Sequence, residues 1–290
     1  MTASDRPCVV IPVRNAAGLL ERCLESTLAE TRDRADVIVV DDASSDATAD
    51  VAAAFPVDVL RHPEPRGPYA ARNHGWRRSD ATTIVLLDSR CRPRPGWLDG
   101  LIRAVDLPGV AIAGGDVVVT TAHTAAERYV QRYQPLMAEH GLGHPTMPFL
   151  PTANIVTHRS VLEAVDGFRS LRSGGDLDFC WRVQRVGLGR VEYAPGAAVD
   201  WVPRSTIREV MRQWYRYGAA KPTLAKSFAE IGLVAEPPAP PLQWWRSQLH
   251  DFAVEMKTSR RGDWDTAVVG LLCQMAWRSG YRSAWSESET

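Results

Sequence analysis

The sequence predicts an α/β protein built on a Rossmann-like, doubly wound sheet, and three observations lead to that prediction. Short Val, Ile and Leu runs alternate with helical patterns over about the first 90 residues, as in strands joined by crossover helices. Polar residues follow three of these runs and include Asn15, Asp42 and Asp88. Ligands of open α/β sheets bind outside the carboxyl ends of the strands. We therefore expect these three side chains to converge on one crevice of nucleotide-binding type.

The elements of the first half follow in order along the chain. Continuous apolar runs predict strands at residues 8–13, 37–40, 57–60 and 84–87. Apolar residues at helical spacing predict helices at 19–28, 48–55 and 69–78. Gly67-Pro68 stands at the start of the last of these helices. This order indicates a nucleotide-binding half at about residues 7–105.

The pattern changes in the second half, at about residues 106–220. An extended stretch at 110–119 is interrupted by Gly114-Gly115, and Ser205 is the expected cap of a helix at 206–218. The remaining predicted elements are helices at 122–139, 161–165 and 176–186 and strands at 154–156 and 191–193. We expect residues 1–220 to form one domain. Residues 221–290 would add a proline-rich linker and a helical, aromatic-rich extension.

Composition limits the function classes. The 290 residues have zero formal net charge, which argues against a nucleic-acid-binding protein. The five cysteines are odd in number and form no C-x-x-C pair, so a disulfide framework or zinc site is not expected. The N-terminus lacks a signal-peptide core, and the apolar stretch at 267–277 is too short to span a bilayer. We expect a cytoplasmic protein. The tail tryptophans would allow weak peripheral membrane contact, but this is the less favoured interpretation because no basic stripe lies beside them.

Two motifs suit a nucleotide. Asp42 stands at a strand end, where its carboxylate would accept hydrogen bonds from a base or ribose, whereas Asp46 or Ser45 would cap the next helix. Arg72 and Asn73 stand in the first turns of a helix. Helix N-termini favour anions, and Arg adds a charge-assisted contact.

Two further motifs admit two interpretations each. Arg90, Arg92 and Arg94 alternate after Asp88, so they would share one side of an extended segment. They are either a solvated face or a diphosphate contact, and the second interpretation is favoured for Arg90 only. Asp176 opens a helix, either as a cap or as a general base beside a bound substrate.

Together these motifs resemble the family 2 inverting glycosyltransferases, which have the GT-A fold, over roughly residues 7–220. Val10-Ile11-Pro12-Val13-Arg14-Asn15 is similar to the opening strand of that family. The other similar segments are Val40-Asp41-Asp42-Ala43-Ser44, Arg66 to Gly75, Leu87-Asp88-Ser89-Arg90, Thr152-Ala153-Asn154 and Asp176-Leu177-Asp178 with Arg182. Several motifs in the same order are more specific than any one of them.

The resemblance implies roles for particular residues. Asp176 would be the catalytic base. The nucleotide-sugar-binding residues would be Pro12, Asn15, Asp42, Arg72, Asp88 and Arg90, and the acceptor-side residues would be Asn154, Asp178 and Arg182. The donor would be a UDP-, GDP- or dTDP-linked sugar, and the acceptor a hydroxyl of a glycan or small molecule.

Three departures from the family pattern bear on metal use. Arg90 replaces the second carboxylate of the Asp-x-Asp motif, Gly175 replaces a Glu, and Trp201 stands near a position where the family often has His. Asp88 remains as a metal ligand. The sequence therefore predicts that a Mg²⁺ or Mn²⁺ site is weakened or absent. Arg90, with Arg72 or Arg204, would then stabilise the leaving diphosphate.

The expected function is transfer of a sugar from a nucleoside diphosphate sugar to a hydroxyl group, with inversion at the anomeric carbon. The main alternative is a non-catalytic nucleotide-sugar-binding or scaffold protein, which the substitutions at 90, 175 and 201 favour. A nucleotidyltransferase is a weaker alternative, and the Asp176 motif argues against it. The sequence identifies neither the sugar nor the acceptor.

Overall fold

A computed structural model describes residues 6–258 and 264–288. The chain divides into two compact units, each formed by more than one segment. The first unit comprises Met1–Val118, Pro135–Ser170 and Gly175–Val202, and the second comprises Val119–Gln134, Leu171–Gly174 and Pro203–Thr290.

The strands all belong to the first unit. In chain order they are β1 (Cys8–Val13), β2 (Asp36–Asp41), β3 (Asp58–Arg61), β4 (Thr83–Leu87), β5 (Cys91–Pro93), β6 (Val110–Gly114), β7 (Val117–Val118), β8 (Asn154–His158), β9 (Arg190–Tyr193) and β10 (Val199–Trp201). The central sheet has the order β3-β2-β1-β4-β8-β6-β9, and a small sheet has the order β5-β10-β7.

The helices are distributed over both units. In the first unit they are α1 (Ala17–Thr31), α2 (Thr48–Ala53), α3 (Pro68–Arg78), α4 (Trp97–Val105), α6 (Ala138–Leu142), α7 (Arg159–Ala164) and α8 (Gly175–Arg185). In the second unit they are α5 (Ala125–Tyr133), α9 (Ile207–Ser227), α10 (Pro241–Thr258) and α11 (Trp264–Ser288). None of the helices in the described ranges has the length and apolar character needed to span a membrane.

The central sheet is mixed, and the carboxyl ends of its parallel strands carry the candidate site residues Asn15, Asp42 and Asp88. β1 pairs in parallel with β2 and β4, and β2 pairs in parallel with β3. Beyond β4 the direction changes, because β8 is antiparallel to both β4 and β6. The carboxyl ends of β1, β2 and β4 therefore share one edge, as the sequence predicts. β1, β2 and β4 are almost entirely buried, which explains their continuous apolar runs.

Close approach of a helix to this sheet requires a glycine. A Cβ on Gly75 of α3 would lie 2.3 Å from a γ-methyl of Val10 in β1. Any larger side chain would push α3 off the sheet, and α3 carries Arg72 and Tyr69.

One predicted helix, at residues 122–139, is wrong as a single element. Thr124 and Glu127 form a capping box at the start of α5. The helix ends at Gln134, which adopts a left-handed φ of 41°. Pro135 follows, and it lacks the amide hydrogen that helix continuation needs. A separate helix, α6, begins at Ala138.

The second unit is built on a close pair of helices. A Cβ on Gly218 of α9 would lie 1.9 Å from the carbonyl oxygen of Trp277 in α11, so the two backbones touch there. The cap of α9 is Thr206, which accepts from the amide of Glu209, rather than the expected Ser205. The helix also runs to Ser227, beyond the expected end and across the predicted domain boundary at 220. That division into domains stays a prediction.

Candidate active site

Asn15 arranges the loop that follows β2. Its backbone adopts a left-handed φ of 48°. Its amide donates to Ser44 Oγ at 2.9 Å, and its side-chain Oδ1 accepts from the amide of Ser45 at 2.8 Å. Pro12 lies buried in β1 beside Val40. The structure therefore places Pro12 in the sheet and Asn15 at its carboxyl edge, with the side chain exposed.

Asp42 is buried, and its carboxylate holds the turn that leads into α3 through hydrogen bonds. Its Oδ1 accepts from the amide of Arg66 and from His62 Nδ1, and its Oδ2 accepts from the amide of Gly67, each at 2.8 Å. The residue is only 4% exposed. Both carboxylate oxygens thus already have partners in the protein, and the turn at Arg66-Gly67 depends on them.

The charge on Asp42 is stabilised by these contacts. Burial by itself would raise its pKa, but the hydrogen bonds from Arg66, His62 and Gly67 outweigh burial and lower it. His62 stacks on His74, with the ring centroids 5.1 Å apart. Burial also lowers the pKa of His74, so the histidine next to His62 is neutral at pH 7.

Arg72 is a buried cation on α3. It is 4% exposed, and its Nη2 donates weakly to the carbonyl oxygen of Thr152 at 3.4 Å. Its guanidinium lies 5.7 Å from the ring centroid of Tyr69. Its Nε is buried and has no hydrogen-bond partner among the described residues. An unsatisfied buried donor on a cation is costly, and an anionic ligand would offset that cost.

Asp176 lies in the first turn of α8, close to Tyr69 and Arg72. Its Oδ1 accepts from the amide of Leu177 at 3.1 Å. Burial raises its pKa, while the Leu177 amide, the positive charge of Arg72 and a hydrogen bond with Tyr69 oppose that rise without cancelling it. A carboxylate with a raised pKa is the group that general-base catalysis near neutral pH requires.

The residue before Asp176 is a glycine for a local steric reason. A Cβ on Gly175 would lie 2.6–2.8 Å from atoms of the Tyr69 ring. The amide of Gly175 donates to the Tyr69 hydroxyl at 2.9 Å. The ring of Tyr69 therefore occupies the place that a side chain at 175 would need.

Asp88 follows β4 and turns the chain toward β5. Its amide donates to the carbonyl oxygen of Ala153, and its Oδ1 accepts from the amide of Arg90 at 2.9 Å. Arg90 in turn donates from Nη1 to the carbonyl oxygen of Val202 at 3.1 Å. Arg94 forms a double contact with Asp200, at 3.0 and 2.6 Å. Arg94, for which a solvated face and a diphosphate contact were both open, thus forms an ion pair with Asp200 of β10.

Comparison with known proteins identifies the family to which this chain belongs. Residues 8–172 match the family described as Glycosyl transferase family 2. The chain belongs to glycosyl transferase family 2. It is 36% identical over 229 residues to the pre-mycofactocin glycosyltransferase of Mycobacterium tuberculosis, covering 75% of this chain and 47% of that protein. It is 30% identical to glycosyltransferase AglE of Haloferax volcanii, covering 72% and 71%.

A solved structure confirms the GT-A fold class. The mannosyltransferase PcManGT from Pyrobaculum calidifontis, in complex with GDP-Man and Mn²⁺, aligns with a TM-score of 0.59 at 18% identity, covering 98% of this chain and 86% of that one. The chain spans about half the length of the Mycobacterium relative. The predicted family, fold class and class of enzyme agree with these findings.

The residues of this family 2 chain do not fit a metal site built by the protein. No group of three or more His, Cys, Asp or Glu side chains that could hold a metal occurs in residues 6–258 and 264–288. Asp88 is the one carboxylate at the motif, and Arg90 stands two residues away. Trp201 is 5% exposed, and its indole Nε1 carries a hydrogen, so it can act as a donor but not as an acceptor or a metal ligand. A guanidinium and an indole are not ligands for Mg²⁺ or Mn²⁺.

Asn154, expected on the acceptor side, lies in the core. It is fully buried, its Oδ1 accepts from Trp97 Nε1 at 2.7 Å, and its Nδ2 donates to the carbonyl oxygens of Ala197 and Asp116. Every polar atom of its amide is therefore used inside the first unit. These contacts give Asn154 a structural role, and its acceptor contact stays a prediction.

Asp178 and Arg182 are also structural. Asp178 is 1% exposed and accepts from Arg182 Nε at 2.8 Å, and the other guanidinium nitrogens of Arg182 donate to the carbonyl oxygens of Val165 and Gly167. Arg169 reaches the second oxygen of Asp178. The pair is thus buried and fully engaged within the first unit, and the acceptor-side assignment of both residues stays a prediction. Their spacing of four on one helix is the sequence signal for such a pair.

Tyr69 and His62 contact the candidate site residues, and the sequence did not point to either of them. Tyr69 contacts both Gly175 and Arg72, and His62 completes the set of donors around Asp42. The signal for Tyr69 lay in its place directly after Gly67-Pro68, which fixes the start of α3. No local sequence pattern marks His62.

Proposed function

We propose that this chain transfers a sugar from a nucleoside diphosphate sugar to a hydroxyl acceptor, with Asp176 as the general base. The observation that supports the proposal best is the environment of Asp176: a half-buried carboxyl of raised pKa beside the buried Arg72 and the hydroxyl of Tyr69. Membership of family 2 supplies the reaction class.

In the proposed reaction, the acceptor hydroxyl gives its proton to Asp176 while its oxygen bonds to the anomeric carbon. The bond between that carbon and the diphosphate oxygen breaks, and the electron pair leaves with the nucleoside diphosphate. Attack from the face opposite the leaving group inverts the anomeric centre. The proton acceptor, Asp176, is an acid, and the residues proposed to stabilise the leaving diphosphate, Arg72 and Arg90, are cations.

The leaving diphosphate gains negative charge, which Arg72 and Arg90 would stabilise. Arg72 brings a guanidinium with an unsatisfied Nε, and Arg90 lies at the end of the Asp88 motif. Asn15 and Asp42 would shape the nucleoside part of the crevice through the loops they hold. A divalent ion bound mainly by the diphosphate and Asp88 would add charge, but this proposal assigns it no required step.

The donor class is proposed as UDP-, GDP- or dTDP-linked. The neighbour that binds GDP-Man supports GDP-sugars as the first to test. On α10, Leu242, Trp245 and Leu249 are exposed at helical spacing, which supports weak peripheral membrane contact by a cytoplasmic enzyme.

The test is a panel of UDP-, GDP- and dTDP-sugars, with release of nucleoside diphosphate measured for the wild type and for Asp176→Asn. Asn keeps the shape but cannot accept the proton. Turnover should fall by about 10²- to 10⁴-fold, with donor affinity retained. Near-normal turnover in Asp176→Asn would place the base elsewhere.

The alternative is a protein that binds the nucleotide sugar without turning it over. The substitutions at Arg90 and Trp201 favour it, whereas Gly175 is explained by the packing of Tyr69. Donor binding by calorimetry without product, over all donors and with a lysate as acceptor source, would support this alternative and reject catalysis.

A further inference from the structure

His62 and His74 form a hydrogen-bonded chain with Asp42, and the proposed reaction uses neither histidine. His62 Nδ1 lies 2.8 Å from Asp42 Oδ1, and His62 Nε2 lies 3.1 Å from His74 Nδ1. His62 directly follows β3 and is 3% exposed, whereas His74 belongs to α3 and is exposed. The chain therefore runs from a buried carboxylate to the surface of the first unit.

This chain fixes α3 at a second point. Asp42 holds the turn before the helix through two backbone amides. The contact between His62 and His74 holds the same helix about two turns later. Tyr69 and Arg72 lie between these two points. Both contacts therefore help to set where these two side chains stand beside the proposed base.

The donors and acceptors of the chain determine where its protons lie. Burial of Asp42 is outweighed by its hydrogen bonds, which lower its pKa and keep it ionised at neutral pH. A carboxylate only accepts, so His62 Nδ1 carries the hydrogen. In a neutral His62 the other nitrogen, Nε2, is then an acceptor, and His74 Nδ1 donates to it. The hydrogen bonds thus select the Nδ1–H tautomer of both neutral rings, whereas free histidine in water favours Nε2–H.

The pair accepts one extra proton without breaking, but not two. With one extra proton, one of the two facing nitrogens, His62 Nε2 or His74 Nδ1, still accepts from the other. With two, both facing nitrogens carry hydrogens and both rings are positive, so repulsion replaces the hydrogen bond. The contact between His62 and α3 is therefore lost in acid.

The nearest charged groups act differently on the two rings. Asp42 faces His62 with a negative charge. Burial, followed by the positive charges of His62 and Arg66, lowers the pKa of His74. The second proton, which breaks the contact, is therefore taken up less readily than a free histidine takes up its proton.

The other charges on α3 and its neighbours are paired or exposed. β1, on which α3 packs at Gly75, has no charged side chain. The paired acids are Asp36 with Arg6 and Asp41 with Arg61, on β2, and Asp166 with Arg77 of α3. The exposed groups are Glu64, in the loop before α3, and Arg78, in its last turn. The histidine pair therefore responds mainly to Asp42 on one side and to Arg66 on the other.

We propose that His62 and His74 are positioning residues for the nucleotide side of the active site. Their hydrogen bond fixes α3 beside the turn that Asp42 holds, and it persists with one extra proton but breaks with two. Nucleotide affinity should consequently fall in acid. This last consequence rests on the proposed function, whereas the tautomers and the proton capacity of the pair do not.

The tautomers are tested by NMR of the full chain labelled with nitrogen-15 histidine. The ring signals are recorded at about pH 8.5 and assigned with His62→Asn and His74→Asn. Both rings should carry their hydrogen on Nδ1. A hydrogen on Nε2 of either ring in the neutral pair would overturn the proposal.

Variants of His74 test the effect on nucleotide binding, by calorimetry with GDP and UDP at about pH 7.5 and about pH 5.5. The wild type should bind about tenfold more weakly at the lower pH, the scale of one lost hydrogen bond. His74→Ala should show the weaker affinity at both pH values. His74→Asn places an amide that does not titrate near the position of Nδ1, so it should retain most of the affinity and lose the acid dependence.

His140→Asn is the matched control, because it removes an exposed histidine of the same unit. It should follow the wild type at both pH values, and protonation of the nucleotide itself is common to all variants. Equal acid dependence in the wild type and His74→Asn would overturn the proposal. Equal affinity in the wild type and His74→Ala would overturn it as well.

Thermal unfolding tests the pair without a nucleotide. If neither GDP nor UDP binds the wild type, the donor-binding part of the proposed function is rejected and this readout decides. Because the pKa of His74 is lowered below 6.5, the stability that depends on neutral His74 is complete above about pH 6.5 and is lost as pH falls through the folded pKa. His74→Asn should therefore gain unfolding temperature relative to the wild type between about pH 7.5 and about pH 5.5. A constant difference would overturn the positioning role.

Discussion

The hydroxyl of Tyr69 accepts a hydrogen bond from the amide of Gly175 at 2.9 Å and so joins the start of α3 to the start of α8. The ring lies where a side chain at 175 would be. The next residue is Asp176, whose pKa a hydrogen bond with the same tyrosine lowers. Tyr69 thus contacts the residue next to the proposed base and opposes the rise in the pKa of Asp176 that burial causes. It also accounts for a glycine where the family resemblance led us to expect Glu.

Removing this hydroxyl should alter the acidity of Asp176. In Tyr69→Phe the ring remains and the hydrogen bonds are lost, so the pKa of Asp176 should rise and the acidic limb of the rate–pH profile should move to higher pH. Loss of one hydrogen bond of about 1–1.5 kcal/mol predicts about a tenfold lower turnover on the plateau.

The matched control is Tyr193→Phe, which removes a hydroxyl that donates to Asp116 at 2.7 Å in the same unit. That variant should keep the wild-type profile. An unmoved acidic limb in Tyr69→Phe would show that Tyr69 does not tune the base.

Asp176 should also make stability depend on pH. Because its pKa in the folded protein is raised above 3.8, the folded state binds the proton more tightly than the unfolded state does. The stability from this protonation is complete below about pH 3.8 and is lost as pH rises through the folded pKa. Asp176→Asn is always neutral, so it should unfold at a higher temperature than the wild type at pH 7.

The gain in unfolding temperature should shrink as pH falls toward 4. Asp178→Asn is the opposite control on the same helix: it weakens the buried pair with Arg182 and should lower the unfolding temperature at pH 7. A lower unfolding temperature for Asp176→Asn at pH 7 would contradict the raised pKa.

Asp42 should affect nucleotide binding through the turn that it holds. Asp42→Ala removes the acceptor of the Arg66 and Gly67 amides. We expect donor affinity to fall by at least about 1.5 kcal/mol, the scale of hydrogen bonds to a charged group.

Asp46→Ala is the control for this prediction. Asp46 accepts from the amide of Thr48 at 3.1 Å, at the start of α2. Its loss should cost about 1 kcal/mol of folding stability and leave donor affinity unchanged. Calorimetry with the nucleoside diphosphate checks both variants, and equal affinity in Asp42→Ala and the wild type would remove Asp42 from the nucleotide site.

The sequence predicts an element well where its residue pattern is compatible with only one kind of structure. The apolar runs before Asn15, Asp42 and Asp88 gave the parallel strands, because only buried strands tolerate such runs at this length. From sequence, Trp214, Tyr215 and Tyr217 are compatible either with a stacking platform for a ligand or with core packing. The structure shows packing, with the ring centroids of Tyr129 and Tyr217 about 6 Å from that of Trp214.

A motif does not reveal burial. Asn154 and Arg182 have the polar groups of a binding site, yet both donate to carbonyl oxygens distant in sequence. Asp178 is held by Arg182, four residues farther along the same helix.

Metal dependence is the last prediction, and it rests on Arg90. Its amide donates to Asp88 and its guanidinium donates to the carbonyl oxygen of Val202, so a fixed positive charge stands beside the one carboxylate of the motif. That charge repels a divalent cation and attracts the diphosphate. Transfer, or at least donor binding, should therefore persist in excess EDTA. Arg90→Asp should weaken donor binding without metal and restore a dependence on Mg²⁺ or Mn²⁺.

Arg92→Asp is the charge-matched control, since Arg92 lies two residues farther along, in β5. If the loss of donor affinity in Arg90→Asp came only from the change in local net charge, Arg92→Asp would lose the same affinity. Neither variant would then respond to added metal. If Asp88 and the diphosphate together hold an essential ion, the wild type would lose all activity in EDTA and recover it with Mn²⁺. That result would contradict the metal-free mechanism, because Arg90 would then be acting beside the ion rather than in its place.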